Sequence, residues 1–575
     1  MHRGDGSLTK RSADDLTKQA VFFWGTKKMS ALRLFIQTAA RNVTSVDADK
    51  ALILLGDNWN DYSYRTLYTL YYKDGSTTHQ VGTLKILKEG QREGPPALAV
   101  GPAKGVQFTK HVVSLGTSID YYVRLIELGL LDKVRKLFND LSSHPELREA
   151  FAEEPGLKIS LYRDHRRPED FYDEITRTVE AGGAPPGEDA FTLTFTPLGS
   201  NEPITFALGE TEAPAGLHQT RPSRRAGIII GPNGVGKTHL LARIARVAYA
   251  PPAEREQLTA VEGAITDGPG FPNILAVSYS SFDNFVPPML AGDDPEERRA
   301  DFIAGRGRYI YLGMRDPAGL IEGGDIAPRL LTQAELAATF ASHVTRIREL
   351  DRFKVFAEIM KPVLEEVSVR AYVGIPPHDD PEEVEDFWSL DEVRVEQLNR
   401  WFGQDPAAAF LKLSSGHKIV LHQLAGMTAM LQRHGLVLID EPETHLHPPL
   451  LAALMSSIRR LLSKQRAYAL VATHSPVVVQ EALAGQVVIL AGREPTIAKA
   501  PSIETYGENV GALSREVFGF YPTAGDYRHV LDRMVDAFET VEGVEEALGS
   551  RLSSQALAHV MATIARRARN AEAED

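Results

Sequence analysis

The 575-residue chain contains no cysteine, which excludes disulfides, thiolate metal sites and a cysteine nucleophile together and suits a reducing compartment. It has no apolar run near the roughly 18 residues that a spanning helix needs. Its polar start, Met1 to Asp15, lacks an apolar stretch of signal-peptide type. These absences predict a soluble, cytoplasmic protein with no membrane partner. Basic residues are the minority: 63 Lys and Arg against 76 Asp and Glu leave a net charge of −13. The surface as a whole is therefore not built to grip nucleic acid, although a local basic stripe is compatible with a DNA contact. No fixed-period repeat and no long low-complexity tract occurs. What the chain does have is apolar material, 43% of residues against 24% charged. That suffices for a sizeable core, and the length suits two to four domains of about 150 residues.

Residues 1–30 read as a loosely docked lead-in. Strands are predicted at Ala51–Leu55, Tyr62–Lys73 and His79–Lys88 from alternation and β-branched or aromatic content, with a hairpin turn at Asp74-Gly75. Helical patterns follow at Ile119–Leu128, Asp132–Leu141 and Pro145–Glu154, then a strand at Leu157–Tyr162 and a helix at Pro168–Glu180. The stretch AGGAPPGED, Ala181 to Asp189, has linker composition and closes a small α+β N-terminal domain, residues 1–185. Phe191–Phe195 and Ile204–Leu208 read as strands, and Arg224–Ile230 as a short buried strand running into a glycine-rich turn. Residues 284–405 break the rhythm with acidic loops and with helical stretches near Gln333–Glu349 and Arg352–Val367. This segment is read as a mainly helical insert within a head spanning 186–500. Two compact apolar strands, Leu436–Ile439 and Ala467–Ala472, flank another helix, and residues 501–575 form a short helical tail.

Gly231-Pro232-Asn233-Gly234-Val235-Gly236-Lys237-Thr238 matches G-x-x-x-x-G-K-T in full. An apolar strand precedes it, and a helical pattern, His239–Ala248, follows. The glycines let backbone N–H groups turn inward around phosphate oxygens, and the helix N-terminus adds partial positive charge. Lys237 reaches the β- and γ-phosphates, and the Thr238 hydroxyl ligates Mg²⁺. Residues 231–239 are thus the candidate cradle for ATP. The second half of the site is Leu436-Val-Leu-Ile-Asp440-Glu441. Taken alone, an apolar run ending in two acids is an ordinary strand end. Paired with the phosphate loop, it places Asp440 to hold the metal and Glu441 to polarise an attacking water.

Three further motifs surround these. Leu413-Ser414-Ser415-Gly416-His417 opens a helical pattern, with Ser414 lying 26 residues before Asp440. Pro442-Glu-Thr-His-Leu-His-Pro448 follows the acid pair, and Val471-Ala-Thr-His474-Ser-Pro476 comes next, with His474 lying 34 residues beyond Asp440. LSSGH resembles the LSGGQ signature of ABC-type ATPases, and His474 stands where that family carries its switch histidine. DEPETHLHP followed by ATHSP is similar to the RecF, OLD-nuclease and SMC-like branch and not to transporters. The segment Ser502–Asn509, continuing to Val517-Phe-Gly519, resembles stand-alone AAA family ATPases of bacterial anti-phage systems, similar to the Septu ATPase, whose partner is a separate nuclease.

The resemblance covers about 200–500 and implies an α/β fold, an ABC-type P-loop head with a mixed sheet flanked by helices. It implies ATP and Mg²⁺ as cofactors, Glu441, His474 and Lys237 as catalytic residues, and Thr238 and Asp440 as metal ligands. It also implies a homodimer or higher homo-oligomer in which Ser414, Ser415 and Gly416 of one subunit meet the γ-phosphate held by Lys237 of the other. The chain departs from the family in three places. Ser415 and His417 replace the usual Gly and Gln of the signature. The glutamine expected after the strand Ile274–Tyr279 is absent, leaving Ser281, Asp283 or Asn284 as substitutes. Some 230 residues precede the phosphate loop.

Other candidates read as structural. Phe206, 25 residues before Gly231, is a core strand residue before it is a platform for adenine. His445 and His447 order a loop at a dimer seam and do not bind metal. Arg221, Arg224 and Arg225, and near the end Arg566, Arg567 and Arg569, form solvated basic faces. The segment between phosphate loop and signature is too short for a long coiled coil and lacks sustained heptads. The 101 residues after His474 are too few for a fused Toprim nuclease. The first functional expectation is an ATPase that closes a dimer on ATP and gates a separate effector, a nuclease, or a DNA contact in anti-phage defence or DNA repair. The second is a slow-turnover nucleotide sensor that serves as a scaffold holding an effector inactive. A transporter's soluble subunit is disfavoured by the DEPETHLHP wording.

Overall fold

The computed structural model describes residues 32–574 apart from 39–45, 57–62, 103–107, 164–167, 184–189, 211–222, 251–257, 268–270, 281–284, 286–308, 317–318, 320–328, 374–390, 494–495, 519–526 and the single positions 76, 97, 99, 181, 201, 351 and 404. Three sheets with packed helices organise these residues in a mixed α/β architecture. The first sheet contains β1 (Arg33–Thr38), β2 (Lys50–Gly56), β3 (Leu67–Asp74), β4 (Thr77–Lys88), β5 (Gly101–Pro102) and β6 (Val112–Gly116), in the order β5-β1-β2-β3-β4-β6. β2, β3 and β4 are antiparallel, and Gly75 takes the left-handed conformation (φ +64°) between the last two, as the Asp-Gly pair requires. The predicted strand at Tyr62–Lys73 starts only at Leu67, and Tyr64 makes an isolated bridge to Gly94.

Helices α1 (Ile119–Glu127), α2 (Leu131–Leu137), α3 (Pro145–Ala150) and α4 (Pro168–Glu180) accompany this sheet. The predicted strand Leu157–Tyr162 is instead a π-helical turn, Leu157–Leu161. A short apolar run carries no period that separates the two states. Here the decision is tertiary: the Ser160 carbonyl accepts from the buried Lys85 ammonium at 2.7 Å, and its hydroxyl meets Thr66 at 2.6 Å.

The second sheet joins β7 (Phe191–Pro197), β8 (Ile204–Leu208) and β10 (Gly263–Asp267), all antiparallel. In β8, Ile204, Phe206 and Leu208 point inward while Thr205 and Ala207 are exposed. Phe206 is a core residue, packed so closely on β9 (Ala226–Ile230) that a Cβ at Gly227 would meet its ring at 2.7 Å.

The third sheet has the order β12-β11-β13-β14-β9-β15-β16, with β11 (Ile274–Ser278), β12 (Tyr309–Gly313), β13 (Leu436–Asp440), β14 (Tyr468–Thr473), β15 (Val487–Arg493) and β16 (Thr496–Lys499). All neighbours are parallel except the edge strand β16. Parallel strands covered on both faces read as unbroken apolar runs, and β9, β11 and β13 are buried at every position. Within β9, Ile228 and Ile230 face one core while Ile229 faces the other. The segment 284–405, read as a mainly helical insert, thus also contributes β12 to this sheet.

One face of the third sheet packs on α5 (Lys237–Tyr249) and the second sheet. The other packs on α6 (Gln333–Glu349), α7 (Phe353–Ile359), α8 (Lys361–Glu365), α9 (Val367–Val373), α10 (Asp391–Phe402), α11 (Pro406–Leu411), α12 (Ser415–Met430) and α13 (Pro448–Gln465). The single helix predicted over Arg352–Val367 is divided because Pro362 sits in the first turn of α8, where a ring without an N–H can start a helix but not continue one. After α14 (Pro476–Val479), the tail forms α15 (Val510–Phe518), α16 (Tyr527–Phe538), α17 (Val541–Leu548) and α18 (Ser554–Glu574). Two predicted basic faces need correction. Arg567 is not free in solvent but staples α18 to α16, 2.6 Å from Asp536 and donating to the Asp532 carbonyl. Arg225 is buried, its guanidinium 5.7 Å from the Tyr468 ring centroid, while Arg221 lies outside the described residues. None of the described helices is long and apolar enough to cross a membrane.

A fully buried polar cluster, Tyr279–His422–His343, lies between β11, α12 and α6. The Tyr279 hydroxyl meets His422 Nδ1 at 2.6 Å, and the two imidazoles stand 5.3 Å apart. Burial pushes His422 down to about 4 and His343 well below its ordinary value. As pH falls from about 6.5 towards 4, the unfolded chain binds protons that the folded chain refuses. Folding stability should therefore drop through that window, by on the order of 3 kcal/mol for His422. Urea unfolding at pH 7 and pH 4.5 should show this loss, with a shallower slope in His343→Phe. An unchanged slope would show that the pair does not set acid stability.

Candidate functional site

The order of the third sheet gathers the motifs. β14 lies between β9 and β13, with Ala472 opposite Asp440 and Thr473 opposite Ile230. The carboxyl ends of these three strands open on one edge, the usual ligand edge of an open α/β sheet. β9 turns into the loop 231–236 and then α5. Gly236 caps α5 at φ +98° without any side-chain cap, and Gly234 (φ +78°) has open space where a Cβ would point. The first N–H groups of a helix have no intrahelical acceptor, so this uncapped turn presents donors and dipole charge to an anion.

Lys237 is 5% exposed, and its ammonium donates to the loop carbonyls of Gly231 (2.9 Å) and Pro232 (3.1 Å). Burial lowers its pKa, while Glu441, Asp440 and Glu443 oppose that shift. The Thr238 hydroxyl donates to both oxygens of Asp440, at 3.0 and 2.9 Å, spanning the width of β14. Of the remaining loop residues, Pro232, Asn233, Gly234 and His239 are exposed, and Val235 is half-buried. A hydroxyl and a carboxylate form a hard, all-oxygen donor pair that fits Mg²⁺. The uncapped turn and buried lysine fit a phosphate chain, so these residues fit Mg²⁺–ATP.

Glu441 follows Asp440 at φ +48°, a left-handed conformation that costs an ordinary residue on the order of 1 kcal/mol. Its N–H donates to the Ala472 carbonyl at 2.8 Å, which holds the chain in this sharp turn. His474 follows β14 directly, with its Nδ1 3.8 Å from Glu441 Oε1. The sequence reading gave no role to Glu443, yet this residue holds the edge together. Glu443 Oε1 accepts from the Thr473 hydroxyl (2.8 Å) and from the His474 backbone N–H (2.6 Å), and lies 3.0 Å from His474 Nδ1. Only the last acid in DEPE hinted at it, because its partners lie some thirty residues away in sequence.

Among the described residues, no hydrogen bond joins 413–417 to the phosphate loop. Ser414 is the N-cap of α12, accepting from the His417 N–H. Ser414 and Ser415 are exposed, and Gly416 is buried where a Cβ would meet the His445 carbonyl at 3.1 Å. His447 caps α13, its side chain accepting from the Leu450 N–H. No cluster able to hold a metal through three or more His or acidic side chains occurs among the described residues. Ser281, Asp283 and Asn284 lie outside the described residues.

Replacing Glu443 by Ala leaves the Thr473 hydroxyl and the His474 amide without their acceptor. Urea unfolding should register a loss of about 2 kcal/mol, and Glu443→Gln, which keeps an accepting oxygen, a smaller one. Equal stability of all three proteins would remove Glu443 from this role.

Three similarities bear on this arrangement. The AAA domain family AAA_21, whose description names the AbiEii toxin and type IV toxin–antitoxin systems, matches residues 314–480, which include the signature, the acid pair and His474. Protein ea59 of Escherichia phage lambda is 30% identical over 514 residues, covering 87% of this chain and 92% of that protein. Septu protein PtuA of Bacillus mycoides is 24% identical over 339 residues, covering 53% of this chain and 42% of PtuA. The chain thus belongs to the family of phage lambda protein ea59, and it is an AAA/ABC-like P-loop ATPase with similarity to Septu protein PtuA.

Proposed function

We propose that the chain binds and hydrolyses ATP, closes a homodimer around the nucleotide, and uses that motion to gate a separate effector, a nuclease, or a DNA contact in anti-phage defence or DNA repair. The observation that carries this reading is the convergence of Lys237, Thr238, Asp440, Glu441 and His474 on one edge of the parallel sheet. Lys237 neutralises the β- and γ-phosphates, and the first turn of α5 supplies backbone donors. Thr238 and Asp440 hold Mg²⁺, which when bound offsets phosphate charge. Glu441, fixed by its backbone turn, accepts the proton of the attacking water. His474, held by Glu443, faces Glu441 and the phosphate. Ser414 and Gly416, exposed and buried neighbours at the start of α12, cap the phosphate of the partner subunit. The absence, among the described residues, of any hydrogen bond between them and their own phosphate loop supports that assignment.

In this reading residues 186–500 are the ATPase head, and residues 1–185 and 501–575 are additions open to a partner. The similarity to PtuA supports a defence setting. The similarity to a phage protein allows such a machine to serve a phage genome as well as a bacterial one.

Two variants test the assignment. Lys237→Ala should weaken ATP binding by 100-fold or more in calorimetry, because the loop alone cannot balance the phosphate charge; retained micromolar binding would contradict the site. Glu441→Gln should keep ATP affinity, slow phosphate release by about 10²-fold or more, and accumulate an ATP-dependent dimer in analytical ultracentrifugation. Normal turnover in that variant would assign the base elsewhere. Tight ATP binding with negligible turnover in the wild type would favour the sensing scaffold.

A further inference from the structure

The signature histidine, His417, is joined to a side-chain relay that the ATPase reading does not use. Its Nδ1 lies 2.8 Å from the Ser414 hydroxyl and its Nε2 2.8 Å from the Ser368 hydroxyl. The Ser368 hydroxyl in turn contacts the Glu366 carboxylate, which also accepts from the Ser368 N–H at 2.9 Å. The Tyr372 ring packs edge-on against the imidazole at 5.1 Å. Four side chains therefore run in line from the exposed signature serine to the α8–α9 junction. His417 itself is only 6% exposed.

The chemistry of the donors sets the direction of this line. A carboxylate accepts only, so Ser368 O–H points to Glu366, His417 Nε2–H donates to Ser368, and Nδ1 is left to accept the proton of Ser414. The outward face of Ser414 then offers lone pairs, which repel a phosphate oxygen. A proton on Nδ1 reverses the first link: His417 donates to Ser414, and Ser414 O–H is free to donate outward. The other links keep their direction, and Glu366 balances the imidazolium through Ser368.

We infer that His417 is a positioning residue that takes one proton from solvent when Ser414 captures a phosphate oxygen of the partner subunit, so that dimer closure is coupled to pH and to the α8–α9 junction. This rests on the nucleotide-sandwich reading above. The groups facing His417 are Glu366 and Tyr372 from the α8–α9 segment, His447 from the loop before α13 and Ser414 at the N-cap of α12, while the adjacent Lys418 is tied to Gln333 at 3.0 Å. In the open chain, burial holds His417 below its ordinary value, with Glu366 opposing and His447 adding to that shift. The imidazole is thus neutral near pH 7 before closure. A closed state that binds the proton more tightly is favoured by acid and weakened as pH rises.

The test uses the full chain carrying Glu441→Gln, which accumulates the ATP-bound dimer, and measures its association constant by analytical ultracentrifugation from pH 7.5 to 6.5. Calorimetry in two buffers of different ionisation enthalpy counts the protons taken up. The expected result is one proton taken up per subunit, two per dimer, and association therefore about a hundredfold tighter per pH unit, both lost on adding His417→Gln. Adding Glu366→Gln instead should move the same dependence to lower pH. A dimer whose pH dependence and proton count are the same with and without His417→Gln would overturn this inference while leaving the sandwich intact. Absence of any ATP-dependent dimer at every pH would overturn the sandwich reading, and this inference with it.

Discussion

Burial of both faces of a parallel sheet is the constraint from which the rest of this molecule follows. Every position of β9, β11 and β13 is buried, and only their last residues, Ser278 in β11 and Asp440 in β13, are polar, so polar chemistry is expelled to where the strands end. Three neighbouring strand ends then carry a glycine loop, an aspartate and a histidine at one edge. The bond from the Thr238 hydroxyl to both Asp440 oxygens closes that edge across the intervening strand. In this strand order only β14 separates the strand that leads to Thr238 from the strand that ends in Asp440, so the two side chains meet across it.

Charge at this edge is unbalanced by design. A single buried ammonium, Lys237, sits among Asp440, Glu441 and Glu443, while the loop before it ends in uncapped backbone donors. The carboxylates near the lysine call for a cation, and the uncapped backbone donors call for an anion. A metal–polyphosphate ligand answers both demands with one molecule. The left-handed Glu441 fits the same picture, since strain of this kind persists only where surrounding bonds hold it. Here the Ala472 carbonyl and the Glu443–His474 contacts do so.

Much of this was legible in the sequence. The short buried strands were readable as unbroken apolar runs, and the phosphate loop as a pattern of glycines with Lys237 and Thr238. Alternation in Ile204–Leu208 marked a half-covered strand, and the inward Phe206 reads as core in both views. What escaped notice depended on distant partners. The π turn at 157–161 has the composition of a strand and is held by Lys85 and Thr66. β12 lay hidden in a region of loops and helices because a five-residue strand at a sheet edge has no period of its own. Arg225 resembles the adjacent Arg224 in sequence and differs from it in being buried under the Tyr468 ring.

Local chemistry alone determined which residues can hold a phosphate or an oxygen-bound metal, since those capacities reside in glycine backbone freedom, an ammonium, a hydroxyl and carboxylates. Tertiary structure decided which of them meet. The crossing of β14 between β9 and β13 brings Thr238 to Asp440, the turn at Glu441 brings Glu443 to the His474 amide, and the contact of Ser368 on α9 with His417 on α12 connects His417 to Glu366. Sequence separation says nothing about such meetings, because they are set by the burial of apolar surface elsewhere in the chain and not by any preference of the polar residues themselves.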